Sequence, residues 1–523
     1  MSITKYKIEI FSLVLGALLL ACNEAEIPGH DVNSVAARVA IDPDYTDVVV
    51  PPNIAPLNFR ILESGDLFIV RVAGEDAEPI VVRSRDGNIR LPFKQWKDLL
   101  SSHRGQAIRY DVYIKKSGQW CKYESFAVRI AEETIDSHLV YRLINPAFKY
   151  WTRMGIYQRN LESFAEKPIL INSMTDGNCM NCHNFRSNDP SDMVFHMRAG
   201  AGSGTYIAVD GEWRKVNLKT EFNSGGAYPA WHPGGKKIAF SVNSLTMFYH
   251  SVGESRDVLD RKSDLVVYDV EKNLISAAPQ IANIQRMETF PAWSADGRYL
   301  YFCAAQPLAE YVDEETQDLS YDQIKYDLMR AEYDIERDEW GKLELIVSAQ
   351  KTGLSAILPR PSPDGRYVLF TMAQYGSFPI YHNHSDLYLL DIKSGDYERL
   401  AVSSDEADSF HSWSSNSHWF VFTSKRRDGL LGRPFFAYIG ENGDVHKPFL
   451  LPQQDPEFYS TFIINYNVPE LVSGPVDATA HELVRIAYDQ DHITRARLDA
   501  RVSLRPQQES EEIDALYKAR PKG

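Results

Sequence analysis

Residues 178–184 read Asn178-Cys179-Met180-Asn181-Cys182-His183-Asn184, which sets Cys179, Cys182 and His183 in the order C-x-x-C-H. Thiols at this spacing on a helical turn reach the two vinyl groups of a porphyrin, and the adjoining imidazole can then ligate the iron. This is the attachment signature of c-type haem. The motif therefore predicts a covalent haem c, with thioethers at Cys179 and Cys182 and His183 as the proximal metal ligand. It is expected in a loop between an N-terminal β-domain and the first unit of an internal repeat. A sixth ligand is sought in Met193-Val194-Phe195-His196-Met197-Arg198, whose strand parity puts His196 on the face opposite Met193 and Met197. His196 as metal ligand gives a low-potential bis-histidine centre, and a methionine gives a higher potential. His232 and His250 are more distant candidates, and Met174, Phe185, Phe195 and Met197 are candidates for the apolar walls of a haem cleft. Three other chemistries use the same cysteines. One is a structural disulfide in an oxidising compartment. Another is a thioredoxin-like redox pair, which needs a βαβ unit not visible here. The last is zinc, which needs a second pair of ligands at matching spacing.

Other clusters carry less chemistry. The acidic stretch Glu310 to Asp327 lacks the residue order and turn glycine of a calcium loop and reads as solvated. His382-Asn383-His384 reads as a polar strand edge. Gly200-Ala201-Gly202-Ser203-Gly204 has the wrong spacing for a nucleophile elbow, so no catalytic residue is assigned and a serine hydrolase is excluded.

The elements that position the motif come from the internal repeat. Trp231-His232-Pro233-Gly234-Gly235 through Phe240 has relatives beginning at Trp293, Pro361 and Trp413, and each closes on a phenylalanine: Phe302, Phe370 and Phe422. In the clearest units a Ser-x-Asp-Gly turn supplies the positive φ of a tight reversal, and an aromatic strand comes next. One such sheet cannot bury both faces alone, whereas radial stacking buries them. Pro291-Ala292-Trp293-Ser294-Ala295-Asp296-Gly297-Arg298 resembles the WD40-like repeat of TolB-type β-propellers, which implies six blades. Met193 to Thr220 is a candidate for an earlier, degenerate blade. The closing blade is sought in Glu457 to Val472 or just before Cys179.

The whole is expected to be mainly β: a small β-sandwich-like domain followed by a TolB-like, six-bladed propeller. At the N-terminus, Lys5 and Lys7 precede an apolar run from Ile10 to Leu20, too short to span a bilayer, and Leu19-Leu20-Ala21-Cys22 completes it. These four residues resemble the lipobox of bacterial lipoproteins, which implies lipidation at Cys22. Expected segments are a signal peptide at 1–21, a tether at 22–45 and an N-terminal β-domain with a linking aromatic segment at 46–165. The propeller is expected at 166–472 and a polar tail at 473–523. A net charge of −15 without a basic stripe argues against nucleic acid. Cys121 and Cys303 read as small buried hydrophobes. The arrangement also resembles a group of Bacteroidota lipoproteins with one C-x-x-C-H ahead of TolB-type repeats. That resemblance implies a lipid-anchored envelope protein, on the outer membrane by the Asn23 that comes after Cys22. Two functions meet these expectations. One is single-electron transfer through haem c to envelope redox partners. The other is a non-enzymatic binding or scaffold propeller with Cys179 and Cys182 as a disulfide.

Overall fold

The computed structural model describes residues 28–29, 32–145, 153–200, 202–249, 256–313, 316 and 318–502. Cys22, the signal segment, the start of the tether segment and His250 lie outside the described residues. The rest of the segment expected as a tether is built into the N-terminal domain: Val32–Arg38 is a strand parallel to Gln119–Glu124, and Val39, Ile41 and Tyr45 are buried.

Six sheets make the propeller. Their first strands are Cys179–Arg186, Ala227–Trp231, Met287–Trp293, Ser355–Pro361, Asp408–Trp413 and Asn465–Val472, and we number the blades 1 to 6 in that order. Each of these strands neighbours the next, and Asn465–Val472 neighbours Cys179–Arg186, so the six close a ring around one axis. Blades 1 to 5 run outward through consecutive antiparallel strands. Blade 6 is assembled from distant segments: Asn465–Val472 pairs antiparallel with His138–Ile144, which pairs with Met154–Asn160 and then Glu166–Ile171. Propeller strands thus begin at His138, ahead of the expected start at 166, because ring closure draws two strands, His138–Ile144 and Met154–Asn160, from the segment read as a linker.

The repeat residues do what their chemistry suggests. In blade 3, Ser294 Oγ donates to Asp296 at 2.6 Å, Arg298 N donates to the same carboxylate at 3.0 Å, and Gly297 takes φ +71°. Blade 4 repeats the turn with Ser362, Asp364 and Gly365. Trp231, Trp293, Trp413, Phe240, Phe302, Phe370 and Phe422 are all buried at corresponding places in successive blades.

Ahead of the propeller, residues 32–130 form a seven-stranded sheet, a three-stranded sheet and a helix, Phe93–Ser102, whose Trp96, Leu99 and Leu100 are buried. The core of this domain runs without a break into blade 5, where Tyr45, Val50 and Ile130 share one apolar cluster with Trp419, Phe436 and Leu450. Arg427 grips Asp42 through two hydrogen bonds of 2.6 and 3.0 Å across the same boundary. The segment after 472 is also ordered where a polar tail was expected. Its helix Ala480–Tyr488 is capped by Thr479 and packs on blades 6 and 1, with Leu483 and Ala487 buried. Thr494–Arg495 and Arg497–Leu498 then add parallel strands to the outer edges of blades 1 and 2. Covered edges cannot recruit a second chain.

Trp293→Ala removes a buried aromatic that packs on His232, Tyr333 and Trp340. It is expected to cost about 3–5 kcal/mol, read as a lower denaturant midpoint at unchanged m-value.

Candidate functional site at the propeller axis

Each first strand breaks its ladder once near the axis with a bulge. There it places one non-glycine residue in the left-handed region: Cys182 (φ +39°), Tyr228 (+48°), Phe290 (+52°), Leu358 (+55°), Phe410 (+46°) and Val468 (+48°). Such conformations cost about 1–3 kcal/mol each and persist where their surroundings over-determine them. Part of the compensation comes from the preceding blade. Phe290 N donates to Ser241 Oγ at 3.0 Å, and Cys303 Sγ and Cys182 Sγ accept from the backbone N–H of Leu358 and Tyr228. Cys303 is therefore a buried acceptor as well as a packing residue.

This ring places the C-x-x-C-H motif. It lies on the first strand of blade 1, not in a loop before it, and Cys182 is that blade's bulge residue. The residue after the bulge is Pro229, Pro291, Pro359 and Pro469 in blades 2, 3, 4 and 6, and His411 in blade 5. His183 stands at this same position. Neither Cys182 nor His183 takes part in the ladder to Asp189–Arg198, so the site makes no demand on a backbone N–H. That is why proline serves in four of the blades.

Cys182 and His183 line a cavity of about 40 Å³ on the axis with Tyr228, Pro229, Phe290, Pro291, Leu358, Pro359, Arg360, Phe410 and Val468. Cys179 and His196 do not line it. Cys179 is buried in the cluster between blades 6 and 1 with Met154, Met180, Met193 and Met197, and the Arg198 guanidinium lies 3.7 Å from its sulfur. The half-buried His196 meets Thr205 Oγ1 through Nδ1 at 3.0 Å. Phe195 joins the same interblade core, Phe185 lines a funnel on the axis, and His232 bonds Gly297 O at the outer turn of blade 3.

The electrostatics derive from burial. His183 is buried, neither ring nitrogen meets a partner in hydrogen-bonding geometry, and the carbonyls of Val140 and Val468 face the ring. Burial, reinforced by the Arg142 charge, lowers its pKa to about 3, so the imidazole is neutral at physiological pH. Burial likewise lowers His196 to about 4 and His411 to about 3. Burial raises the Cys182 thiol, against the pull of Arg142, which keeps it protonated and a poor nucleophile. The two thiols are not bridged in this structure.

Haem can be tested against this site. The donor chemistry fits, because His183 is a neutral imidazole with both nitrogens unengaged. The room does not, because cofactor-sized sites occupy about 300–1,000 Å³ and the cavity beside Cys182 and His183 holds about 40 Å³. Cys179 faces the interblade core rather than that cavity. The packed ring leaves no porphyrin-sized space beside Cys182 and His183, and His196 lies outside the cavity they line. Among the described residues no group of three or more His, Cys, Asp or Glu side chains converges as for a metal ion.

On one side the axis opens into the larger funnel, of about 260 Å³, unsignalled by any motif and lined by all six first strands and the turns that succeed those of blades 1 to 5. At its floor Arg360 Nη2 meets Glu470 Oε1 at 3.3 Å, and Asn184 Nδ2 donates to the same oxygen at 3.2 Å. Trp231, Trp293 and Trp413 stand around it.

A variant His183→Pro is expected to fold, because proline fills the same position in four blades. It also predicts a pH signature. A histidine near 6.5 when unfolded and held near 3 when folded favours the native state above the unfolded value. That stability is lost as pH falls from about 6.5 toward the folded pKa, at up to about 1.4 kcal/mol per pH unit. Chemical denaturation between pH 6.5 and 5 should show a shallower loss in His183→Pro than in the parent by about that amount. An unchanged slope contradicts the buried, neutral assignment.

No protein-family profile matches the chain, and no curated protein matches it in sequence. Solved structures similar in part include a nidogen/laminin complex, at 8% identity over 65% of this chain and 99% of that one, TM-score 0.37. Others are the Dos1 propeller, at 14% identity over 53% and 66%, TM-score 0.30, and a DUF4784 family protein from Bacteroides caccae, at 11% identity over 71% and 97%, TM-score 0.30.

Proposed function

We propose that this is a lipid-anchored envelope protein whose propeller binds a ligand or a partner's extremity in the axial funnel, without turning it over. The observation that carries the reading is the funnel itself: about 260 Å³, open to solvent on one side, with a charged pair on its floor and three tryptophans around it. Concave sites where several elements converge, with a few placed polar groups, are the usual form of a binding pocket. The anchor is the Cys22 of Leu19-Leu20-Ala21-Cys22, and several acyl chains on one residue hold a protein to a bilayer firmly.

Electron transfer through haem c is the second reading, favoured by the unengaged nitrogens of His183. It requires blades 1 to 6 to separate around Cys182 by the size of a porphyrin. A pyridine haemochrome assay with intact mass, on protein matured in a host competent for cytochrome c assembly, decides between the two. We expect a mass equal to the lipidated chain and no haem spectrum. A haem adduct on Cys179 and Cys182 would replace the binding reading with the redox one.

Two further outcomes are expected. Cys22→Ala should leave the membrane fraction and fail to label with palmitate; continued sedimentation with membranes contradicts the anchor. Thermal-shift screening against envelope glycans and peptides should give a hit that is lost in Ala292→Phe, which fills the funnel. A ligand at about 100 times its Kd stabilises by about 2.7 kcal/mol, a readily measured rise in Tm. A hit that survives Ala292→Phe places binding elsewhere.

A further inference from the structure

We propose that the funnel holds its ligand by a carboxylate, gripped by Arg360; this rests on axial binding as the protein's function. The position two residues beyond each left-handed residue rings the funnel floor: Asn184, Ala230, Ala292, Arg360, Ser412 and Glu470. The ring is chemically lopsided. Blades 2 and 3 present only methyl groups, so space opens on their side and the polar groups gather on the other.

Within that ring Arg360 is the only cation and Glu470 the only anion among the described lining residues. Their settings differ. The Glu470 side chain is 6% exposed and the Arg360 side chain 27%, so the anion is recessed and the cation faces the opening. Glu470 is also served by Asn184 Nδ2 and by the Phe185 backbone N–H. A guanidinium carries five N–H donors, and among the described residues the one side-chain hydrogen bond Arg360 makes goes to Glu470. The fork that remains matches a planar carboxylate in two parallel hydrogen bonds. A dianionic phosphate suits the site less well, because one guanidinium already shared with Glu470 would face two further charges. Burial raises the Glu470 carboxyl, which weakens it as a competitor for Arg360.

The size of the funnel limits the rest of the ligand. At about 260 Å³ it falls just below the range of drug-sized pockets, enough for an acidic monosaccharide or the last residue or two of a peptide. Ser412 Oγ, which accepts from the Leu471 N–H at 3.1 Å, offers its hydroxyl to the polar groups of either. The shared chemistry is the carboxylate, and paired acidic and neutral probes separate its sources.

The test uses the full, detergent-solubilised protein, read by tryptophan fluorescence and calorimetry. The probes are acetyl-Ala-Ala with a free C-terminus, its C-terminal amide, glucuronic acid and glucose. We expect one acid to bind and its neutral counterpart to bind at least about tenfold more weakly. R360Q should erase that difference, R360K should keep part of it, and the double variant R360Q/E470Q, which leaves no unpaired carboxylate, should erase it as well. The acid that binds identifies a peptide end or a uronic acid as the source. Equal binding of acids and neutral partners overturns the proposal, as does undiminished acid binding in R360Q, or no binding of either acid up to ~10 mM. An acid that still binds R360Q but not Ala292→Phe removes only the carboxylate contact. Binding indifferent to both variants removes the axial site itself.

Discussion

Six strands that meet on one axis cannot all run past it as ordinary β-ladders, and the way each one turns aside sets the rest of the molecule. In every blade the solution begins alike, with a bulge and one non-glycine residue forced to positive φ, and in five of the six the next position lies outside the ladder and needs no backbone N–H. A bulge inserts an unpaired residue and bends its strand. Here that bend aims six residues, one from each blade, at the axis. The next two positions then divide the labour. The first is filled by proline or histidine and, in blades 1 to 4, lines the narrow cavity; the second forms the ring at the funnel floor. The strain is tolerable because each blade is clamped by its neighbours, as the Ser241 hydroxyl does for Phe290.

Closure makes that clamp cooperative. If blade 6 were one continuous hairpin stack, the ring could open at the blade 6–blade 1 boundary without breaking a sheet. Instead Asn465–Val472 is hydrogen-bonded to His138–Ile144, so opening the ring there also means separating the two ends of the propeller. The segment beyond it adds a second fastening on the outside. Arg501 pairs with Asp338 in blade 3 after the chain has crossed blades 1 and 2. The N-terminal domain shares its core with blade 5 and braces one side of the ring. Such coupling favours a propeller that holds its axial groups at fixed separations, which a binding site requires.

The sequence was legible where local chemistry and fold agree. Ser294-Ala295-Asp296-Gly297 and Ser362-Pro363-Asp364-Gly365 close their own turns through side-chain hydrogen bonds, so they announce blades 3 and 4 without reference to anything distant. Blades 1 and 6 lack that signal for physical reasons. Blade 1 turns on Ser187 and Asn188, both at positive φ, a tight reversal that needs no aspartate. Blade 6 has no hairpin after its first strand at all, since the partner strand lies some three hundred residues earlier. The funnel was illegible for a different reason. Arg360 and Glu470 are 110 positions apart and belong to no shared motif; only the ring brings them together.

The same ring explains why a short motif can be read in two ways. C-x-x-C-H constrains three side chains and says nothing about the backbone beneath them. On a helix the two thiols would lie on one side, one turn apart. On a strand with a bulge at the second cysteine they part company: Cys182 turns to the axis and Cys179 remains in the methionine-lined seam between blades 6 and 1. His183, whose type suggests an iron ligand, occupies a place whose general requirement is only that it not need a backbone donor. Proline meets that requirement in four blades, while in blade 5 His411 keeps its place in the ladder opposite Phe422 and its ring bonds the Leu369 carbonyl. His183 has no such bond. A buried imidazole with both nitrogens unengaged is costly, and proline would have avoided that cost. The ring's geometry thus explains why a residue without a backbone requirement stands there, but not why that residue is histidine. The imidazole stands between the carbonyls of Val140 and Val468, which face its ring, and the narrow axial cavity that His183 lines with Arg360.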